Sequence, residues 1–388
     1  FCYSSFIGNV FSQSYTLYSK FAWSQLNILK DKNMKIEGME VFLVAMPLVY
    51  PWRTAYGEDS EIRSVLVRLV SEGMDGWGET SPLKAPSYSP ETAGSVFNII
   101  TEFIAPHVVG QEFESPAELL EATNWIKGNP FAKAGTEIAF WVLQAKRNGL
   151  PLHRLLGGET RNVQAGADFG IQDSIDMLLE KIQAAVDRGH PRVKLKVKPG
   201  WDLDMLRSVR RTFPSTVFHI DCNSGYSLDD LVFFREIDKL GLAMIEQPLF
   251  HTDLFDHAEL QKKIEKPICL DESIKSVGDF ELALKLGSCR YLNIKPGRVG
   301  GLSVALELHR LAGEAGIACW VGGMLESGVG AGILVELATL DNFTYPGDIF
   351  PSAFFYKQDL TKPELVLNRD CTFSPSNVPG IMYEPLRE

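Results

Sequence analysis

Residues 192–197 read Arg192-Val-Lys-Leu-Lys-Val197, and four later stretches have the same build: Thr216-Val-Phe-His-Ile-Asp221, Ala243-Met-Ile-Glu246, Ile268-Cys-Leu-Asp271 and Tyr291-Leu-Asn-Ile-Lys295. Each is a short apolar run meeting a charge at its end, the pattern of a buried β-strand that emerges at one edge of a sheet. The charges Lys196, Asp221, Glu246, Asp271 and Lys295 follow one another at intervals of 25, 25, 25 and 24 residues. A (β/α) barrel of about 250 residues spends about that much chain on each of its eight units. A lone charge at a strand end is ordinarily a solvated loop residue. Five in phase, four of them directly after Ile220, Ile245, Leu270 and Ile294, predict one charge per strand at a common height. That height is the C-terminal face, where barrel active sites form.

Outward from these strands the chain alternates. Ser174–Arg188 is an amphipathic helix with Met177, Leu178, Ile182 and Val186 on one face. Leu302–Ala315 is another, with Val304, Leu306, Leu308 and Leu311, and Ala318–Val321 is a further strand. Ser227 is a predicted helix N-cap. Repeated βα units from about Val163 predict a parallel sheet, and their number suits a closed barrel. Before Val163 the order differs. Val41–Val44 and Ser64–Ser71 read as strands, and helices begin near Glu91, over Ser115–Lys127 and over Gly135–Asn148. Met46–Gly57 and Gly78–Pro90 read as irregular connections rich in aromatic and turn residues. The expectation is an α/β protein: a modified TIM (β/α) barrel over 161–355, an N-terminal α+β capping domain over 34–160, and a segment 356–388 returning to the cap. Residues 1–33 mix aromatics with Ser, Asn and Gln and precede Met34. They are expected to be a non-native extension, the alternative being a genuine extra helix or a disordered arm. They carry no charged stretch ahead of a continuous apolar run, so a signal peptide is not expected, nor is a membrane span anywhere in the chain.

The formal net charge of −11 argues against nucleic acid or an anionic membrane as partner. It also means that an anionic substrate must be held by local positive charge. Six cysteines, at 2, 222, 269, 289, 319 and 371, form no C-x-x-C pair and read as buried, reduced thiols, which points to the cytoplasm. A homo-oligomer is compatible with this composition.

The order of the five charges carries chemistry. Lysine comes first, then three carboxylates, then lysine. Three carboxylates with open positions suit a hard ion, Mg²⁺ with Mn²⁺ as the alternative, and no His or Cys set offers a zinc site. Such an ion can bind a small-molecule carboxylate and stabilise the enediolate left when its α-proton departs. A lysine acting as base must be partly neutral, which nearby positive charge and desolvation favour. Lys194, two residues before Lys196 on the same strand face, supplies such charge.

At these residues the chain resembles the enolase superfamily, muconate-lactonizing subgroup, in which a lysine base works with Mg²⁺. The motifs are Lys194-Leu-Lys196, Asp221-Cys-Asn223, Glu246-Gln-Pro248, Asp271-Glu-Ser273, Asn293-Ile-Lys295 and Gly323-Met-Leu-Glu-Ser327, with Leu155-Leu-Gly-Gly158 before the barrel. Within the subgroup, Met46–Thr54, Asp256-His-Ala-Glu-Leu260, Pro267–Ser273 and Lys295-Pro-Gly-Arg-Val-Gly-Gly301 are similar to the o-succinylbenzoate synthase and N-acylamino acid racemase branch. The resemblance implies that Asp221, Glu246 and Asp271 bind Mg²⁺ and that Lys196 and Lys295 flank the substrate's α-carbon. It implies supporting roles for Lys194, Asn223, Glu272, Arg298 and Glu326, and substrate contacts at Trp52, Arg53, Asp168 and Met324. The activity implied is a dehydration of the o-succinylbenzoate synthase kind, in menaquinone biosynthesis. The alternatives are an N-acylamino acid racemase or another epimerase or cycloisomerase, and, more remotely, a non-catalytic binding barrel. A dipeptide epimerase should carry Asp-x-Asp where this chain has Asp348-Ile-Phe350. Asp168 stands where the family tends to have Ser, and Phe350-Pro351 where relatives have small residues. An Asp168 carboxylate would repel an anionic substrate unless protonated or paired. Trp52 and Tyr56 either cap the barrel mouth or pack between domains.

Overall fold

The computed structural model describes residues 33–386. The expectation for residues 1–33 therefore lies, except for Asn33, outside the described residues, as does Cys2.

The cap begins as a three-stranded antiparallel sheet, β1 (Gly38–Thr54), β2 (Gly57–Ser71) and β3 (Met74–Thr80), with β2 in the middle. The expected connection over Met46–Gly57 is instead strand. Thr54 pairs with Gly57, so only Ala55 and Tyr56 form the turn, and the register slips between Pro47 and Trp52. Pro47 and Pro51 suggest a break, yet β1 is an edge strand, where a missing N–H can face away from the single neighbour. Strand β3 was not among the expected strands, and its end, Gly78–Thr80, lies in a stretch expected to be irregular; Gly76 and Gly78 have a structural reason to be glycine. They are there for close packing on α1 (Pro130–Asn148): a Cβ on Gly76 would sit 2.2 Å from the Ala139 carbonyl oxygen, and one on Gly78 2.3 Å from that of Gly135. Helix α1 starts five residues before the expected Gly135, with Pro130 in its first turn, where a missing N–H costs nothing. The Glu91 carboxylate accepts the free N–H groups of Phe131 (3.0 Å) and Ala132 (3.1 Å) there.

Seven parallel strands follow in sequence order: β4 (Ala167–Phe169), β5 (Val193–Lys196), β6 (Phe218–Asp221), β7 (Ile245–Glu246), β8 (Ile268–Leu270), β9 (Tyr291–Ile294) and β10 (Ala318–Val321). An irregular stretch fills the eighth place. Phe343 bridges Cys319, Gly347 bridges Ala165, and the Asp348 N–H bonds the Val321 carbonyl at 2.9 Å. The result is a modified TIM barrel with an N-terminal cap. Outward side chains such as Val193, Leu195, Ile220, Ile245, Leu270, Ile294 and Val321 join the large apolar core beneath the helices. Inside, Met244, Cys269 and Trp320 form a separate small cluster with Tyr291 and Tyr345.

Helix α2 (Ile175–Arg188) is capped by Ser174, whose hydroxyl accepts the Met177 N–H at 3.2 Å. Its buried face is Leu178, Ile182 and Ala185, whereas Met177, expected in the core, is 42 % exposed. The spacing of four and then three residues selects one face, and Met177 lies one position off it. In α3 (Leu302–Glu314) the fully buried residues are Leu302, Ala305, Leu308 and Ala312, with Val304, Leu306 and Leu311 half-buried. The segment after Phe355 touches both domains. Tyr356 bridges Leu48 and Glu384 pairs with Lys146 (2.5 Å) in the cap, while Thr372–Phe373 pairs with Val163–Gln164 at the barrel entrance. Cys222, Cys269, Cys289, Cys319 and Cys371 are free buried thiols, and no described helix is long and apolar enough to cross a membrane.

Candidate active site

The five charges are not all level in strand register. Lys196 pairs in register with Asp221, and Asp221 with Glu246, but Glu246 pairs with Cys269, which pairs with Tyr291. Asp271 and Lys295 lie beyond the ends of β8 and β9. Strands in a barrel tilt, so residues level along the barrel axis are not level in strand register. The tilt brings the charges together all the same.

Asp221, Glu246 and Asp271 are buried, and each offers an oxygen within 4.8 Å of the others'. The lysines stand at the two ends of this arc. Lys196 Nζ donates to Asp221 Oδ2 at 2.5 Å, and Lys295 Nζ to Asp271 Oδ2 at 2.8 Å. Around them, Asn293 Nδ2 donates to Glu246 Oε1 (2.6 Å), the Asn223 N–H to Asp221 Oδ1 (3.0 Å), and Asn223 Nδ2 to Glu272 Oε1 (3.1 Å). Arg298 donates to Asp271 Oδ1 and to the carbonyls of Ile274 and Asn293. The loops leaving β6, β7 and β10 carry Asn223, Gln247 and Leu325 at positive φ (42°, 37° and 59°), a backbone form that concentrates at functional sites.

The donors fit a hard divalent ion. They are all carboxylate oxygens, and Glu246 Oε2 is buried with no hydrogen-bond partner, its nearest cationic or imidazole nitrogens being Lys194 Nζ (3.6 Å) and His219 Nε2 (3.7 Å). Burial opposes charge throughout the cluster, although Lys194, with His219 and Lys196, holds the Glu246 carboxyl well below the usual carboxylate range. Burial, then the negative charge of Glu246, raises the Asp221 carboxyl, and burial with Asp221 pushes Glu272 up to about 7. Burial pushes His219 down to about 4, so it contributes no charge near neutrality. For Lys295, burial favours the free amine, but Tyr88 and the surrounding carboxylates outweigh it and hold the ammonium.

Other expected residues divide into two groups. Met324 Sδ lies 3.6 Å from Lys295 Nζ, and Glu326 accepts the Met324 N–H (2.8 Å) while burial pushes its carboxyl up to about 7. Trp52 packs edge-on to Phe355 (5.4 Å) and lines, with Phe169, Phe350 and one side of Asp168, an apolar cavity of about 330 Å³ against α2. Arg53 turns away to pair with Glu58 and Asp173 at the rim. Asp168 is not a free carboxylate. It is buried, bound to Arg192 and, at 3.0 Å, to Lys194. Lys194 is bound in turn by Asp348 and keeps its proton: burial opposes the charge, but Asp168, Asp348, Glu246 and Asp221 together outweigh it.

Sequence reasoning missed Tyr88. From the cap it donates to Asp271 Oδ1 (2.8 Å), accepts from Lys295 Nζ (3.2 Å) and lays its ring 4.6 Å from the same ammonium. Tyr56, at the β1–β2 turn, packs edge-on to it (6.3 Å). Arg192 was missed too, although the alternation 192, 194, 196 places it on the same inward face.

The N-terminal part of the chain, residues 37–157, matches the mandelate racemase / muconate lactonizing enzyme N-terminal domain, and residues 177–388 match the enolase C-terminal domain-like family. The chain belongs to the enolase superfamily. It is 44 % identical over 340 residues to an o-succinylbenzoate synthase of Geobacillus kaustophilus (87 % of this chain, 90 % of the relative). It is 40 % identical over 332 residues to an N-succinylamino acid racemase of Thermus thermophilus (86 % and 90 %). A crystal structure of an enolase-superfamily protein from Listeria innocua superposes with a TM-score of 0.86 at 36 % identity, covering 90 % of this chain and 95 % of that one. Such relatives are lyases and racemases, and this chain is an enzyme of the same superfamily.

Proposed function

We propose that this enzyme removes the proton α to a carboxylate with the help of Mg²⁺ and catalyses a dehydration of the o-succinylbenzoate synthase kind, in the cytoplasm and in the service of menaquinone synthesis. The observation that carries the reading is the placement of Lys196 and Lys295 at opposite ends of the Asp221–Glu246–Asp271 arc, each bonded to its outer member. A divalent ion held by these three carboxylates, Mn²⁺ being an alternative, would supply positive charge to the substrate carboxylate and to the anion left by proton loss.

The protein residues do the rest. Lys196, as the free amine, takes the α-proton. The electron pair of that C–H bond becomes the new C=C bond as the C–O bond to the leaving hydroxyl breaks, and the proton on Lys196 passes to that hydroxyl, so water departs and the ring becomes aromatic. Lys295 keeps its proton throughout and faces the developing negative charge. Met324 and Tyr88 hold its ammonium in place.

Purified protein with Mg²⁺ should dehydrate the cyclohexadiene-carboxylate precursor of o-succinylbenzoate, and no turnover by folded, metal-loaded protein would sink the lyase reading. A second reading, racemisation of N-succinylamino acids, is supported by the two-sided placement of the lysines and by Arg298 on the carboxylate beside Lys295. There both lysines exchange protons, one on each face. The two activities share their first step, so in deuterium oxide exchange of the α-proton that faces Lys196 should vanish in Lys196→Ala under either reading, while under racemisation the opposite enantiomer still exchanges through Lys295.

A further inference from the structure

Beneath the carboxylate arc lies a closed ring of four buried charges. Lys194 comes from β5 and Arg192 from the position directly before that strand, Asp168 from β4, and Asp348 from the stretch that fills the eighth place of the barrel. Each carboxylate bridges both cations. Asp168 gives Oδ1 to Arg192 and Oδ2 to Lys194 (3.0 Å), and Asp348 gives Oδ1 to Arg192 and Oδ2 to Lys194. Arg192 is fully buried and donates further to the carbonyls of Pro346 and Ala167. Its guanidinium passes so close to β4 that a Cβ on Gly166 would lie 2.0 Å from its Cζ.

The ring is electrically complete: two cations, two anions, every carboxylate oxygen engaged. Lys194 Nζ therefore stands 3.6 Å from Glu246 Oε2 and 3.8 Å from Asp221 Oδ2, near both but hydrogen-bonded to neither. Without Asp168, those two oxygens are the nearest acceptors on its open side, and they belong to the arc proposed above to hold the ion. A ring of buried charges costs much desolvation and seldom adds net stability over apolar side chains of similar volume. Its benefit lies in position.

We propose that Asp168 and Asp348, joined by Arg192, form a clamp that keeps the Lys194 ammonium off the metal-binding carboxylates, leaving Glu246 and Asp221 free for a divalent cation. Asp168 is thereby a positioning residue that acts through Lys194, not a contact to the substrate. The inference rests on the reading of Asp221, Glu246 and Asp271 as metal ligands.

The test is a titration with Mn²⁺ alone, followed by calorimetry or by electron paramagnetic resonance of the free ion, on the native protein, Asp168→Asn, Lys194→Met and the double variant. Removing a residue that orients metal ligands typically costs about 10- to 100-fold in metal affinity, and a loss of that size is expected for Asp168→Asn. In the double variant no ammonium remains to compete, so Asp168→Asn should cost nothing beyond Lys194→Met. Native-like affinity in Asp168→Asn overturns the clamp, as does an equal loss with and without Lys194. Failure of the native protein to bind Mn²⁺ overturns the metal reading instead. If Asp168→Asn does not fold, a crystal structure of the native protein with Mn²⁺ decides. Lys194 must then still bond both Asp168 and Asp348, and an ammonium that has left either one overturns the proposal.

Discussion

The two lysines face the same three carboxylates but are built into the protein differently. Lys196 ends a strand and makes one polar contact among the described residues, to Asp221. Lys295 is crowded: Asp271 below, Met324 beside it, the Tyr88 ring and hydroxyl from the cap, and Arg298 on the other oxygen of its carboxylate. A base that must accept a proton and hand it on needs freedom. A cation that only steadies negative charge is better when fixed before the reaction begins. The asymmetry suits a one-base dehydration, whereas a racemase needs a mobile proton on both faces. Most tests of function reduce to asking whether the chemistry is as lopsided as the geometry.

The largest effects should come from the lysines themselves. A positioned base contributes about 10²- to 10⁴-fold, so Lys196→Ala should lose at least that much in both exchange and dehydration. Lys295→Met keeps the length and removes the charge. It should abolish racemisation of an N-succinylamino acid yet leave measurable dehydration, because in that reaction Lys295 never moves a proton. Parallel assays of the two variants on the two substrates give the ratio. Equal losses of dehydration in both variants would show that the lysines are interchangeable and that the crowding at Lys295 has no chemical meaning.

The arc between the lysines gives the next effect. Three buried carboxylates with oxygens within 4.8 Å repel one another in the metal-free protein. Saturating Mg²⁺ should therefore raise the unfolding midpoint, by about 2.7 kcal/mol of stability when the ion is at a hundred times its dissociation constant. Glu246→Gln should lose most of this rise, since Glu246 Oε2 is the oxygen without a hydrogen bond. Calorimetric scans with Mg²⁺ and with a chelator would measure it. A midpoint insensitive to Mg²⁺ in the native protein would mean that the lysines alone neutralise the arc.

What could be read from the sequence follows the same division. The arc and the two lysines were legible because βα units of nearly constant length repeat their charges every 24 or 25 residues. Lys295 could be found in this way, but its surroundings could not. Tyr88 lies 207 residues from it in sequence and reaches it only because the cap folds over the barrel mouth. The state of Asp168 was illegible for the same reason. Its pairing depends on Arg192 and on an Asp348 brought to Lys194 across 154 residues by closure of the barrel. Met46–Gly57 misled in the opposite sense. Its prolines carry a local signal for a turn, and the edge position that lets a strand tolerate them is a property of the sheet.

The smallest effect expected is also the most discriminating. Tyr88→Phe keeps the ring over Lys295 and removes one oxygen, which donates to Asp271 at 2.8 Å and accepts from Lys295 at 3.2 Å. Burial pushes this hydroxyl up to about 12, so it keeps its proton near neutrality and can do both at once. A hydrogen bond to a charged group is worth about 1.5 kcal/mol at the low end, or roughly tenfold in rate. If Tyr88 serves to immobilise Lys295, the loss should fall on the reaction that needs a fixed cation. Dehydration should drop about tenfold in kcat with KM little changed, while racemisation, which needs Lys295 to shed and regain a proton, should drop less or rise. The opposite pattern, racemisation falling more than dehydration, would make Tyr88 a helper of Lys295 as a second base and not its anchor as a fixed cation.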